Sequence, residues 1–208
     1  MRAGWSVPAL ADAYLSGGAR FIQVRAKTAS GAALLEMCEA VVARARDAGA
    51  IVIVNDRADI ARFARADGVH LGQDDLPPAM ARQVLGGGVI VGWSTHTLEQ
   101  VRAAMRLPVD YIAIGPIFGT TSKETGFSAV GTALVRQARA LLSEAGLDTP
   151  IVAIGGITLA SAASVIEAGA TSVAVISDLL STGDPAARVR AYLSVSPQRH
   201  KDTEDFIS

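Results

Sequence analysis

The stretch Ile151-Val152-Ala153-Ile154-Gly155-Gly156-Ile157, followed by Leu159–Ala168 and then by Ser172-Val173-Ala174-Val175-Ile176-Ser177, reads as strand, helix, strand. Both strand segments are short continuous apolar runs, the pattern of strands buried on both faces of a parallel sheet. The Ala-rich piece between them is long enough for a crossover helix, and parallel neighbours need one. Working outward, the same unit recurs. Strands are predicted at Phe21–Lys27, Ala50–Asp56, Gly68–Gln73, Val89–Thr95 and Tyr111–Phe118 as well as at Ile151–Gly156 and Ser172–Ser177. Helices are predicted at Gly31–Ala48, Ala58–Ala64, Pro78–Leu85, Thr97–Arg106, Val130–Ala145, Leu159–Ala168 and Asp184–Leu193, with Val7–Leu15 ahead of the first strand. Asp184-Pro185 and Thr97, three residues before Gln100, are helix-start signals. Gly49, Gly68, Gly146 and Gly169 stand where left-handed helix ends are expected.

This rhythm predicts an α/β fold of the TIM type, a (β/α)8 barrel with its first strand missing or shortened at the N-terminus. An open doubly wound sheet is the alternative. Only seven strands are predicted, and the eighth would have to precede Met1. The chain is then shortened there, or the barrel closes imperfectly, or another segment or subunit covers the gap. Residues 1–195 are expected to form one barrel domain and residues 196–208 a polar, frayed C-terminal tail.

Composition narrows the partners. The net charge of −1 argues against a nucleic-acid surface, which needs a concentrated basic face. The apolar runs are far shorter than the roughly 20 residues that span a bilayer, and Met1–Pro8 lacks the features of a signal peptide. A cytoplasmic protein with small-molecule partners is expected, with a homo-oligomer left open. Cys38 is the only cysteine, so no intrachain disulfide and no thiolate cluster can form; on its helix it reads as a buried, inert thiol. Sixteen arginines stand against three lysines, and two of those, Lys27 and Lys123, fall at strand ends.

In such a barrel the chemistry collects at the carboxyl ends of the strands. Alternation sends Gln23, Arg25 and Lys27 to one face of the first strand, where buried cations need an anionic partner. Asn55-Asp56-Arg57 ends the next strand, and Gln73-Asp74-Asp75 ends its neighbour. Two carboxylates from adjacent strand ends suit a hard cation such as Mg2+, with Asp56 and Asp75 as the candidate ligands. The bland reading of Asp75 is a cap on the following helix. Gly115–Lys123 runs from a strand into Thr120, Ser122 and Lys123, hydroxyls and a point cation that suit a diphosphate. Gly155-Gly156 and the segment at Ile176 and Ser177 end the last two strands, where backbone amides form the recurrent phosphate site of these barrels. His70 reads as a satisfied core residue. His96, after Ser94, is a candidate acid or base without a carboxylate nearby in sequence to orient it.

Six motifs in order make the chain resemble thiamine-phosphate synthases from Gly17 to about Leu180: Gln23-x-Arg25-x-Lys27, Asn55-Asp56-Arg57, Gly68-Val69-His70-Leu71-Gly72-Gln73-x-Asp75, Ser94-x-His96, Gly115-Pro116-Ile117-Phe118 with Thr120-x-Ser122-Lys123, and Ile154-Gly155-Gly156-Ile157. The resemblance implies a transferase that condenses hydroxymethylpyrimidine diphosphate with thiazole phosphate by a dissociative, Mg2+-assisted route. It implies that Gln23, Arg25, Lys27, Asn55 and Lys123 hold the pyrimidine diphosphate, with Asp56 and Asp75 on Mg2+ and Arg25, Lys27 and Lys123 assisting catalysis. Ser94 would contact the pyrimidine. Thr120 and Ser122 would lie near the phosphates, and Gly156, Ile176 and Ser177 would bind the thiazole phosphate. Ser122 replaces a Thr usual there, Gly119 replaces a common Pro, and the family's usual first strand is absent. The competing readings are a thiazole tautomerase that uses a His as acid and base, and a non-catalytic binder of phosphate ligands.

Overall fold

The computed structural model describes residues 4–119 and 128–195. Seven parallel strands pair in chain order: β1 (Phe21–Val24), β2 (Ile51–Asn55), β3 (Gly68–Leu71), β4 (Ile90–Thr95), β5 (Tyr111–Ile114), β6 (Ile151–Ile154) and β7 (Ser172–Ala174). Helix α1 (Val7–Ser16) precedes β1. Helices α2 (Gly31–Asp47), α3 (Ala58–Phe63), α4 (Pro78–Leu85), α5 (Leu98–Ala104), α6 (Gly131–Glu144) and α7 (Leu159–Glu167) connect the strands, and α8 (Pro185–Val195) follows β7. The order never reverses, so the sheet has no switch point and the doubly wound alternative is excluded.

The sheet is a seven-stranded parallel half-barrel; among the described residues there is no eighth strand, and β1 and β7 are its two ends. The helical layer is continuous where the strand layer is not, because α1 packs against both α2 and α8. Gly17 permits that approach: a Cβ there would lie 2.7 Å from the Ala186 carbonyl oxygen. The open edge shows in exposure. β3, β4 and β5 are buried throughout, whereas Phe21 on β1 is 41% exposed.

Period-two alternation divides the side chains into two cores. Val52, Val54, Val69, Leu71, Val91 and Ile112 face the helices in the main core. Ile53, Ile90 and Tyr111 form a separate inner cluster, with Ile51 and Val152 against it. Gly68 belongs to this inner packing as the first residue of β3, as its strand reading predicts, and its reading as a left-handed helix end is corrected. It pairs with Ile53 and Ile90 inside β3, and a Cβ would come within 2.0 Å of the Ile90 carbonyl oxygen. The left-handed residue after α3 is instead Arg65, at φ 54°, while Gly49, Gly146 and Gly169 take positive φ as expected.

The helix starts follow their signals. Thr97 accepts from the Gln100 amide at 3.2 Å, and Asp184 accepts from the Ala187 amide at 2.9 Å. Cys38 is fully buried in α2, and burial, followed by the charge of Glu39, pushes its thiol pKa up to about 11. No helix among the described residues is long and apolar enough to cross a membrane.

Candidate active site

Parallel strands deliver all their carboxyl ends to one rim, and the rim is polar. β1 ends at Val24, so Arg25 and Lys27 stand just past the strand rather than inside it as predicted. Ile22 and Val24 pack toward the helices, which turns Gln23 inward. There Gln23 is hydrogen bonded to the Tyr111 hydroxyl. From that hydroxyl a polar chain crosses the interior: Tyr111 Oη lies 2.9 Å from His70 Nδ1, and His70 Nε2 lies 2.8 Å from Ser94 Oγ. The Tyr111 ring stacks on the His70 ring, and burial above all pushes its phenol pKa up. Gly92 makes room for this ring, since a Cβ would sit 2.0 Å from Tyr111 Cζ. His70 is therefore the satisfied interior residue expected, and it ties β3 to β4 and β5 beneath the rim. Sequence reasoning found Gln23 and Ser94 but not the Tyr111–His70 bridge between them.

The acidic pair assembles as expected. Asp56 follows β2 in the left-handed region at φ 65°, a conformation Asp tolerates better than most residues, and its amide donates to the His70 carbonyl at 2.8 Å. Lys27 Nζ lies 3.2 Å from Asp56 Oδ2. The Asp75 carboxylate accepts from the Gly72 amide at 2.7 Å and meets the Asp56 carboxyl. Burial raises the Asp75 carboxyl above its ordinary range, the Gly72 amide works the other way, and Asp56 raises it further. α4 is preceded by Pro77 and has no side-chain cap, so Asp75 does not serve as a helix cap. Arg57 points away from the cluster and pairs with Asp59 at 2.5 Å. Asn55 is buried at the end of β2, beside His70 in register.

Crowded carboxylates of this kind are a donor set whose mutual repulsion a hard divalent cation relieves. Among the described residues no group of three or more His, Cys, Asp and Glu side chains could hold a metal ion. A cation at Asp56 and Asp75 would thus draw its remaining oxygens from water and from ligand phosphates.

On the opposite side, Ile154 and Gly155 accept from the amides of Ile117 and Phe118 at 2.8 and 3.0 Å, which locks the turn after β6 onto the segment after β5. Gly155 and Gly156 have φ of 90° and 66°. Neither the Gly156 nor the Ile157 amide has an acceptor among the described residues. β7 ends at Ala174, short of the predicted Ser177; Ile176 is exposed, and Ser177 opens a 3-10 turn at Asp178–Leu180. His96 is buried, with its amide on Gln100 Oε1 at 2.7 Å and its ring Nδ1 on the Gly115 carbonyl. A carbonyl only accepts, so Nδ1 carries a proton. Thr120, Ser122 and Lys123 lie outside the described residues.

Fold and rim define a barrel-type α/β protein that gathers two carboxylates, basic side chains and a glycine turn at the carboxyl ends of its strands. A family profile described as thiamine monophosphate synthase matches residues 3–179, and the chain belongs to that family. It is 45% identical over 181 residues to a thiamine-phosphate synthase of Chlorobium luteolum, covering 87% of this chain and 83% of that protein. It is 48% identical over 187 residues to one of Anaeromyxobacter dehalogenans, covering 88% and 81%. Among solved structures, a thiamine phosphate pyrophosphorylase from Pyrococcus furiosus superposes with a TM-score of 0.83 at 28% identity, over 100% of this chain and 93% of that one.

Proposed function

We infer that this chain is a transferase of thiamine biosynthesis. It condenses 4-amino-5-hydroxymethyl-2-methylpyrimidine diphosphate with 4-methyl-5-(2-hydroxyethyl)thiazole phosphate to give thiamine phosphate and diphosphate. The observation that carries this reading is the meeting of Lys27, Asp56 and Asp75 on the rim that also bears the Gly155-Gly156 turn. A diphosphate leaving group and a monophosphate thereby find separate sites facing one interior.

The reaction breaks the bond between the pyrimidine methylene and the diphosphate oxygen, and the resulting cation, delocalised into the ring, is captured by the thiazole nitrogen. No protein nucleophile is needed. The protein's task is to hold the developing negative charge on the leaving group, a preorganised electrostatic role. In this reading Arg25, Lys27 and Lys123 carry that charge, Asn55 adds a neutral donor, and Thr120 and Ser122 add hydroxyls. Asp56 and Asp75 would hold Mg2+, which would supply further neutralisation of the diphosphate. Gln23 and Ser94, joined through Tyr111 and His70, orient the pyrimidine ring. Gly156, Ile176 and Ser177 take the thiazole phosphate, largely through backbone amides. The same reading treats residues 1–195 as one catalytic unit, a TIM-type barrel open by one strand between β7 and β1. It places the enzyme in the cytoplasm with small molecules as its partners.

Calorimetric titration tests the two sites separately. Pyrimidine diphosphate is expected to bind only with Mg2+, and thiazole phosphate to bind without it. Binding of thiazole phosphate alone, under both conditions, would favour the tautomerase reading. His96→Ala separates the same readings kinetically. With its ring Nδ1 committed to the Gly115 carbonyl, its loss is expected to lower thiamine phosphate synthesis about tenfold or less. Removal of a general acid or base costs on the order of a hundredfold or more, and a loss of that size would point to proton transfer as the protein's chemistry.

A further inference from the structure

Asp178 directly follows Ser177 and is the most heavily hydrogen-bonded carboxylate among the described residues. Its side chain is 13% exposed. It accepts from Arg188 through both guanidinium nitrogens Nε and Nη2 at 2.8 to 3.0 Å, and from the Tyr192 hydroxyl at 2.5 Å. Both partners lie on α8, and the Arg188 guanidinium also stands 5.9 Å from the centre of the Tyr192 ring. A fifth bond crosses to another element: Asp178 Oδ2 accepts from the Leu159 amide, the first residue of α7, at 3.2 Å. Leu159 is three residues beyond Gly156. Asp178 thus joins the turn after β7, the start of α7 and the body of α8 in one polar knot. Burial alone would raise its carboxyl, but the Tyr192 hydroxyl and the Arg188 guanidinium prevail and hold it below the ordinary carboxylate range.

We propose that Asp178 is a positioning residue for the thiazole phosphate, fixing the spacing between the Gly155-Gly156 turn and the Ser177 turn through its bonds to Leu159, Arg188 and Tyr192. The inference rests on the functional reading above, which assigns those two turns to that phosphate. Three features suit the role. The Gly156 and Ile157 amides have no acceptor among the described residues, so their direction is set by whatever anchors the turn on either side. On one side the anchor is the pair of hydrogen bonds to Ile117 and Phe118; on the other it is Asp178. A bare carboxylate next to a phosphate dianion would repel it, and the bidentate pairing with Arg188 cancels that charge while keeping the geometry. Among the described residues β7 pairs only with β6, so there the turn after it lacks the support that a second neighbouring strand provides elsewhere, and the knot stands in for it.

The test is steady-state kinetics of the whole chain with each substrate varied in turn. Asp178→Asn is expected to raise KM for thiazole phosphate about tenfold, the effect of losing one charge-assisted hydrogen bond. KM for pyrimidine diphosphate is expected to stay within about twofold. Tyr192→Phe keeps the carboxylate and the Arg188 pairing, so it guards against a folding defect, and it should raise the same KM by a smaller factor. An unchanged KM for thiazole phosphate in both variants, with only a lower melting temperature, would overturn the proposal and leave Asp178 as a tether for α8. An equal rise in both KM values would overturn it too. If the unmodified chain forms no thiamine phosphate, the functional reading fails instead. Calorimetry with thiazole phosphate then still tests the knot, which predicts weaker binding in Asp178→Asn and is refuted by equal binding.

Discussion

Asp75→Asn is expected to lower turnover by about two orders of magnitude or more, while the protein melts no lower than the unsubstituted chain at neutral pH. The Asn oxygen can still accept from the Gly72 amide, which the carboxylate does at 2.7 Å, so the local hydrogen bond survives and only the charge is lost. That charge is unfavourable to the fold by itself. The Asp75 carboxyl is raised by burial and by Asp56, with the Gly72 amide opposing. A carboxyl whose folded pKa exceeds its unfolded value contributes stability below the unfolded pKa of about 3.9 and loses it as pH rises through the folded value. At neutral pH its removal is therefore neutral or stabilising. Asp56→Asn is expected to fail catalytically in the same way. Asn is the informative replacement because Asp56 sits at φ 65°, where Ala would add backbone strain of about 1–2 kcal/mol unrelated to charge. The accompanying loss of the partly exposed Lys27 pair costs at most about 1 kcal/mol. Rate assays across Mg2+ concentration, together with thermal melts, check both variants. Near-normal Mg2+-dependent turnover in both would remove the metal from this pair.

Gly156→Val is expected to weaken both substrates, each by roughly a hundredfold, which corresponds to about 2.7 kcal/mol. The sequence alone suggests a narrower effect, on the thiazole phosphate that the turn itself would hold. The structure widens it. At φ 66° any side chain is strained, and a Cβ would stand 2.6 Å from the Gly119 carbonyl oxygen and 2.7 Å from that of Phe118. Those atoms are backbone and cannot swing aside as a side chain would. They belong to the segment leading to Thr120, Ser122 and Lys123, so the clash pushes the Gly155-Gly156 turn and the Phe118-Gly119 backbone apart and disturbs both proposed sites together. Calorimetric titration of each ligand, with circular dichroism to confirm folding, decides it. Unchanged affinity for both would take this turn out of the site, and loss of the thiazole phosphate alone would mean that the β5 segment is not coupled to it.

Much of the fold was legible because its strands are short apolar runs at steady intervals, with helix-start and helix-end residues between them. The errors lie at the carboxyl ends of the strands, inner strands included: β5 stops at Ile114 rather than Phe118. Gln23-x-Arg25-x-Lys27 and Val175-Ile176-Ser177 alternate like strand residues, yet β1 and β7 stop at Val24 and Ala174. Gly68 carried two readings, first residue of a strand and left-handed helix end; β3 bears out the first, and the close approach of Ile90 rules out the second. In the site, adjacency of strand ends sufficed to bring Asp56 and Asp75 together, since consecutive strands pair. It could not give the Tyr111–His70 bridge, whose members are 41 residues apart, nor the knot at Asp178, whose partners Arg188 and Tyr192 carry no motif. Such contacts depend on which helix lies against which turn, and no local pattern encodes that.

The central claim is tested most directly by incubating the purified chain with pyrimidine diphosphate, thiazole phosphate and Mg2+ and following the products by chromatography. Thiamine phosphate and inorganic diphosphate are expected in equal amounts, with formation abolished by chelating the metal. Bound thiazole phosphate with no thiamine phosphate formed, at substrate and metal levels that saturate both sites, would contradict it.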